Sequence, residues 1–257
     1  MAGSQADPSK IVLASLTTEA EFREAVALQK TIWGFGDADL LPFRLFVVAV
    51  KVGGQLFGAF DGNRMVAFCL AIPGLKPCAK PGVSLPYLHS HMLGVLSGYR
   101  DYGIGRRVKL HQREDALTRG INLIEWTFDP LELKNAWFNI EKLGAVVRRH
   151  VRNQYGSTTS HLQAGLPTDR CTAEWWLDSP RVHAKTRGGY IERPPVVGRI
   201  EYPDNIGEIK HHDPSRARDI QAANAERFEE AFRNDLVVTG IERTPGITAY
   251  LLSETAE

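Results

Sequence analysis

The sequence is poor in the features that would point to an oxidising compartment, a membrane or a polyanionic partner. Its three cysteines, Cys69, Cys78 and Cys171, are odd in number and contain no close pair. That excludes a disulfide framework and the paired spacing of a zinc or redox site, and reduced thiols of a cytoplasmic chain are the expectation. No stretch approaches the ~18 apolar residues of a membrane span, and the run Leu45 to Val50 falls far short. The N-terminal Met-Ala-Gly-Ser-Gln-Ala-Asp-Pro has neither a basic region nor an apolar run, so no leader and no membrane partner are expected. A formal net charge of +1 supplies no long-range pull toward nucleic acid, and none is expected as a partner.

What is present suits an ordinary folded enzyme. With 257 residues, 43% hydrophobic and 24% charged, the chain can bury a normal core. Ile11 to Leu16 reads as a short buried strand, and Thr18 with Glu21 has capping-box spacing for a helix from about Glu19 to Trp33. Pro42 opens a second helix to about Val52. Gln55 to Phe60 and Arg64 to Pro73 read as strands joined by Asp61, Gly62 and Asn63, and a third strand runs from about Ser84 to Leu96.

Downstream, Gly105 to Arg119 suits a helix, Asn122 to Phe128 a strand, Glu132 to Leu143 a helix ended by Gly144, and Ala145 to Tyr155 and Thr172 to Leu177 two more strands. This alternation implies an α/β chain with a mixed sheet. Arg181 to Pro195 reads as a linker or surface loop, and His211, His212 and Asp213 as the loop entering a helix that Pro214 carries to about Asn234. Leu236 to Ile241 and Ile247 to Leu252 close the chain as strands. The expected division is a main domain over 1–180 and a C-terminal β-α-β-β extension over 181–257.

Between the third strand and its following helix stand Arg100, Asp101, Tyr102, Gly103, Ile104 and Gly105, an Arg-x-x-Gly-x-Gly stretch. Glycines there let a backbone approach a ligand, and the amides of a helix start can hold a pyrophosphate without a dedicated cation. Arg106, Arg107 and Lys109 add local positive charge. Read without its surroundings, the same stretch is a glycine-rich turn feeding a helix with a solvated basic face.

This loop, in this strand and helix order, resembles the pyrophosphate-binding signature of the GNAT superfamily of acyl-CoA N-acyltransferases, over roughly Ile11 to Ser179. Within that superfamily, Asn135 to Gly144 and Ala173 to Pro180 resemble a branch of predicted acetyltransferases, a match that supplies no substrate. The resemblance implies a GNAT-like fold, acetyl-CoA or another acyl-CoA as co-substrate, no metal, and transfer of an acetyl, succinyl or similar acyl group to a primary amine on a small molecule or peptide. By the same resemblance the amides of Arg100, Tyr102, Gly103, Ile104, Gly105 and Arg106 hold the pyrophosphate. Met92, Leu93 and Val95 pair with the pantetheine arm, and Asn135 and Asn139 can hydrogen-bond the cofactor. Two departures stand out: Ser97 and Gly98 replace the frequent Pro-Glu, and Ile140 occupies the position of the frequent acid Tyr.

Acyl transfer to an amine needs a base for the amine proton, donors for the developing oxyanion and a leaving thiol. His89 falls where several family members carry a Glu that acts as base, and His91 shares its strand face while Ser90 points the other way. The pair can equally be structural histidines; a metal site would need a third ligand that the neighbouring sequence does not offer. Tyr155 is the acid candidate, against release of the thiol as thiolate. Glu125 and Glu174 could contact the acceptor, their default being solvent-facing carboxylates. Two other classes remain: a CoA-binding module without turnover, and a hydrolase built on a His89 and His91 metal site. The C-terminal extension covers the acceptor cleft or forms a subunit contact, the latter implying a homodimer.

Overall fold

The computed structural model describes residues 8–77, 82–156, 158, 160 and 163–256. Cys78 and the N-terminal segment 1–7, on which two expectations above fall, lie outside the described residues. The chain divides into two compact units: residues 1–124 with 159–161, and residues 125–158 with 162–257.

In the first unit, β1 (Ile11–Ser15), β2 (Gln55–Asp61), β3 (Arg64–Pro77) and β4 (Ser84–Val95) are hydrogen-bonded in chain order, each pair antiparallel. Helices α1 (Glu19–Trp33), α2 (Phe43–Lys51) and α3 (Ile104–Thr118) complete it. The Thr18 capping box forms as expected: its hydroxyl accepts from the Glu21 amide at 3.3 Å, and Glu21 accepts from the Thr18 amide at 2.8 Å. Fully buried Phe46, Phe68, Met65, Leu70 and Ile104 anchor the core, where removing an aromatic would cost about 3–5 kcal/mol. Gly94 on β4 is dictated by packing, since a Cβ there would stand 2.6 Å from the Trp33 ring and 2.8 Å from Ile32.

Two features of β4 position the site. Burial alternates along the strand, Leu88, Ser90, Met92 and Gly94 being buried and His89, His91, Leu93 and Val95 half-buried. Its register against β3 also slips: Leu70 pairs with Met92 but Ala71 with Ser90, leaving His91 as the extra residue of a bulge.

In the second unit, the strand order is β5 (Leu123–Phe128, entering from the first unit), β7 (Arg170–Trp176), β6 (Val146–Val151), β9 (Val237–Thr244), β10 (Ile247–Ser253) and β8 (Gly198–Pro203). Helices α4 (Leu133–Trp137), α5 (Pro180–Arg187), α6 (Ile206–His212) and α7 (Pro214–Arg233) surround these strands in sequence. Buried Trp175, Tyr202, Phe228 and Tyr250 dominate its core, with Tyr250 edge-on to both Tyr202 and Phe228.

The mixed α/β class expected from the sequence holds, with local corrections. The segment after Pro180 is helical, not a linker, because the Ser179 side chain accepts from the Val182 amide and Pro180 opens the first turn. His211 and His212 end α6, and Asp213 then caps α7 by accepting from the Arg216 amide at 3.1 Å. The tail therefore holds three helices, α5, α6 and α7, where one is expected. Beyond α4 the chain widens into a π-helical turn, Phe138–Lys142, and β6 stops at Val151, leaving Tyr155 in the following turn.

Candidate active site

In the first unit, β4 delivers the chain through a short 3-10 turn, Ser97–Tyr99, into the Arg100 to Gly105 loop. Asp101 and Gly103 both sit in the left-handed region, at φ 66° and 74°. For glycine that conformation is free, and aspartate tolerates it better than most residues, so the bend is one this sequence accepts at low cost. Gly103 caps α3 and has no side chain with which to satisfy the helix amides. Intrahelical bonding starts with the Arg107 amide donating to Gly103 at 3.0 Å, so the amides of Gly103, Ile104 and Gly105 lie ahead of the bonds the helix makes for itself.

The loop is open where a ligand would need it to be. Gly103 is exposed, and a Cβ built on it meets nothing within 4 Å. A Cβ on Gly105 would touch Leu93 at 3.7 Å and Val95 at 4.0 Å, ordinary contacts, so α3 begins over these two side chains of β4. Arg100 is exposed and donates from Nε to the Val95 carbonyl at 3.2 Å, tying the loop to the strand end. Ile104 and Met92 bury their side chains, so only their main chains can face a ligand. Tyr102 packs half-buried on the core, as do Leu93 and Val95.

His89 and His91 are both half-buried, with ring centroids 5.8 Å apart. Burial lowers the His91 pKa below the usual imidazole value, which keeps it neutral and able to accept a proton at neutral pH. Beneath α3 lies a polar layer the sequence reading missed. Ser90 accepts from Lys109 Nζ at 2.9 Å and meets Gln112 at 3.2 Å, and Gln112 in turn is bonded to Gln55. Lys109 is buried, and burial pulls its pKa down to about 7. The signal was present: in an amphipathic reading of α3, Lys109 occupies the same inward stripe as Val108 and Gln112.

The remaining candidates belong to the second unit. Asn135 is exposed on α4, whereas Asn139 is buried in the π-helical turn with its side-chain Nδ2 lacking a hydrogen-bond partner. Ile140 is fully buried and serves the core. Tyr155 is 45% exposed, and its hydroxyl shares a 2.8 Å hydrogen bond with Thr127. Glu125 and Glu174 are not solvent-facing: both are buried against arginines, with Arg149 2.7 Å from Glu125 and Arg148 2.7 Å from Glu174. A register slip between Val147 and Arg149 lets consecutive arginines serve adjacent carboxylates. Three successive polar residues, Arg148 to His150, break strict strand alternation and were the legible sign of it. Among the described residues no group of three or more His, Cys, Asp or Glu side chains is placed to hold a metal, and no helix is long and apolar enough to cross a membrane.

No protein-family model matches the sequence, and no curated protein is similar to it at a significant level. Solved structures are similar. The ribosomal-protein-S18-alanine N-acetyltransferase of Escherichia coli superposes with a TM-score of 0.50 at 15% identity, covering 66% of this chain and 95% of that one. NAA60 of Arabidopsis thaliana, in its structure with acetyl-CoA, superposes with a TM-score of 0.52 at 12% identity, covering 65% of this chain and 99% of that one. The same plant protein with a bisubstrate analogue gives 0.50 at 13% identity. The fold is that of the GNAT N-acetyltransferases.

Proposed function

We propose that the chain transfers a short acyl group from acyl-CoA to a primary amine, with the donor held by the Arg100 to Gly105 loop and the adjoining strand β4. The observation that carries this is the open, left-handed bend at Gly103, which presents helix-start amides beside Leu93 and Val95 of β4. The solved NAA60 structures with acetyl-CoA and with a bisubstrate analogue, on the same fold, support the class of co-substrate and reaction.

When bound, acyl-CoA supplies an activated thioester whose sulfur leaves readily. The chain does the rest. Amides of Gly103, Ile104 and Gly105 offer donors to pyrophosphate oxygens, reinforced by the positive end of the α3 dipole. His91, neutral at physiological pH, takes the proton lost by the amine as its C–N bond forms and the C–S bond breaks, and His89 beside it is the second proton acceptor. Main-chain amides near the β4 bulge offer hydrogen bonds to the developing oxyanion. Because the acid-tyrosine position is the buried Ile140, the thiol departs as thiolate and no role is assigned to Tyr155.

The test is release of free thiol from acetyl-CoA and succinyl-CoA against a panel of amines, with binding measured separately. Replacing Gly103 with Val should abolish acyl-CoA binding, because a β-branched residue resists the left-handed bend. His91→Gln should lower kcat by about 10²-fold or more while binding persists. The acid limb of the wild-type profile should fall below the usual histidine range, because the base is active when deprotonated and its pKa is lowered. Failure to bind any acyl-CoA would remove the reading. Tight binding without turnover on any amine would make the chain a CoA-binding module, the reading that the buried Ile140 favours.

A further inference from the structure

We propose that Ser90 and Lys109 are positioning residues of the acyl-transfer site: with Gln112 they pin the bulge of β4 to helix α3 and so fix where His91 stands. The inference rests on the reading of His91 as the base. Three strands meet the helix at the row where the register slips. Gln55 of β2 pairs with Ala71 of β3, and Ala71 pairs with Ser90 of β4, the residue just before the His91 that the slip leaves over. Gln112 of α3 spans that row. Its Oε1 accepts from the Ser90 hydroxyl at 3.2 Å, and its Nε2 donates to Gln55 Oε1 at 3.2 Å. Gln55 Nε2 returns the bond, donating to the Gln112 carbonyl oxygen at 2.8 Å and to Asp115 at 2.7 Å. Lys109, one turn earlier on the same helix, donates from Nζ to the Ser90 hydroxyl at 2.9 Å. One hydroxyl thus donates to one residue of α3 and accepts from another.

A bulge is the weak point of a strand ladder, because its extra residue is left out of the pairing and a slide by one position re-aims the side chains around it. A clamp seated on that row resists the slide. The helix that supplies the clamp is also the one that opens at Gly103, and Lys109 lies in its second turn, so one element ties the donor loop to the strand carrying His91. Packing alone does not call for this arrangement. Ser90, Lys109, Gln112 and Gln55 are all buried, and burial pulls the Lys109 pKa down to about 7, so the fold gives up stability at neutral pH to keep an amine there. A methionine would fill the same depth without that loss, and a side chain held against stability beside a reacting group points to function.

The experiment compares wild type, Lys109→Met and Ser90→Ala in the full chain. It follows denaturant unfolding, acetyl-CoA affinity by calorimetry, kcat and KM from thiol release, and the amide signals of His89 to Met92 in nitrogen-15-labelled protein. Lys109→Met should unfold at higher denaturant than wild type yet turn over about tenfold more slowly or worse, with acetyl-CoA affinity and KM unchanged. Ser90→Ala, which removes both bonds to α3, should lose at least as much in kcat, and its amide signals should broaden or double where the wild type shows one set. A layer that only holds the fold together would give full turnover in Lys109→Met, or a joint loss of stability and turnover. Either result would overturn the proposal, as would a single sharp set of amide signals in Ser90→Ala. If the wild type releases no thiol from any acyl-CoA, the acyl-transfer reading falls instead, and the amide signals still decide whether the clamp holds the bulge.

Discussion

Lys109 in the first unit and Lys210 in the second are buried alike, at 3% and 2% exposure, yet their surroundings are opposite. Lys210 donates to Asp129 and to Glu132, each at 3.1 Å. Lys109 donates to the hydroxyl of Ser90, and its pKa is pulled down to about 7 by burial, with only Cys69 acting in the other direction. Burial sets the size of the penalty on a charge, and the partner decides whether the charge is kept. His150 is the intermediate case: its ring stacks on Phe228 with Asp169 at 3.8 Å and Glu229 at 4.0 Å. There burial outweighs two carboxylates at longer range, and the imidazole pKa is lowered.

The comparison breaks most sharply on removal of Lys210. Lys210→Met should destabilise the protein by about 3–5 kcal/mol in denaturant unfolding, because buried Asp129 would keep a charge with no cation beside it. Lys109→Met should go the other way and stabilise by about 1–3 kcal/mol at neutral pH, since it removes an amine that burial desolvates. A loss of several kcal/mol instead would mean that the bond to Ser90 outweighs the burial penalty.

The same pair can be sharpened by pH. Lys109 titrates near 7 in the folded chain but at ~10.4 when unfolded. Between those values the unfolded chain holds a proton that the folded chain lacks, so this residue's contribution to stability rises with pH across that window. The rise should vanish in Lys109→Met. A smaller effect is expected from His150, whose folded pKa is lowered by burial. As pH falls below ~6.5 the unfolded chain takes up the proton first, so stability drops on acidification, and His150→Phe should flatten that drop. The smallest is Tyr155→Phe, which removes an exposed hydrogen bond to Thr127 and should cost under about 1 kcal/mol with thiol release unchanged.

Much of the fold was legible because local chemistry specified it. The Thr18 and Glu21 box, the Gly62 and Asn63 hairpin and the Pro214 helix start are short-range signals, and each stands where the spacing puts it. The helix at Pro180 was equally legible from Ser179 followed by Pro180, but the density of Arg and Gly after it suggested a loop. In the site, the left-handed glycine before a helix could be read directly from Arg100 to Gly105, and so could the closeness of His89 and His91. What could not be read was depth. Glu125 and Glu174 look like surface carboxylates until the slip in β6 turns two arginines onto them.

The sequence by itself determined most of the order of strands and helices up to Pro180 and the bend at Gly103, because these follow from backbone sterics and hydrogen-bond partners a few residues away. Only the tertiary structure decided which charges are buried, which of them keep a proton, and that Glu141 gathers Lys185 and Arg193 from distant positions. Desolvation and Coulomb energy depend on distance through space, and residues far apart along a chain acquire that distance only when it folds.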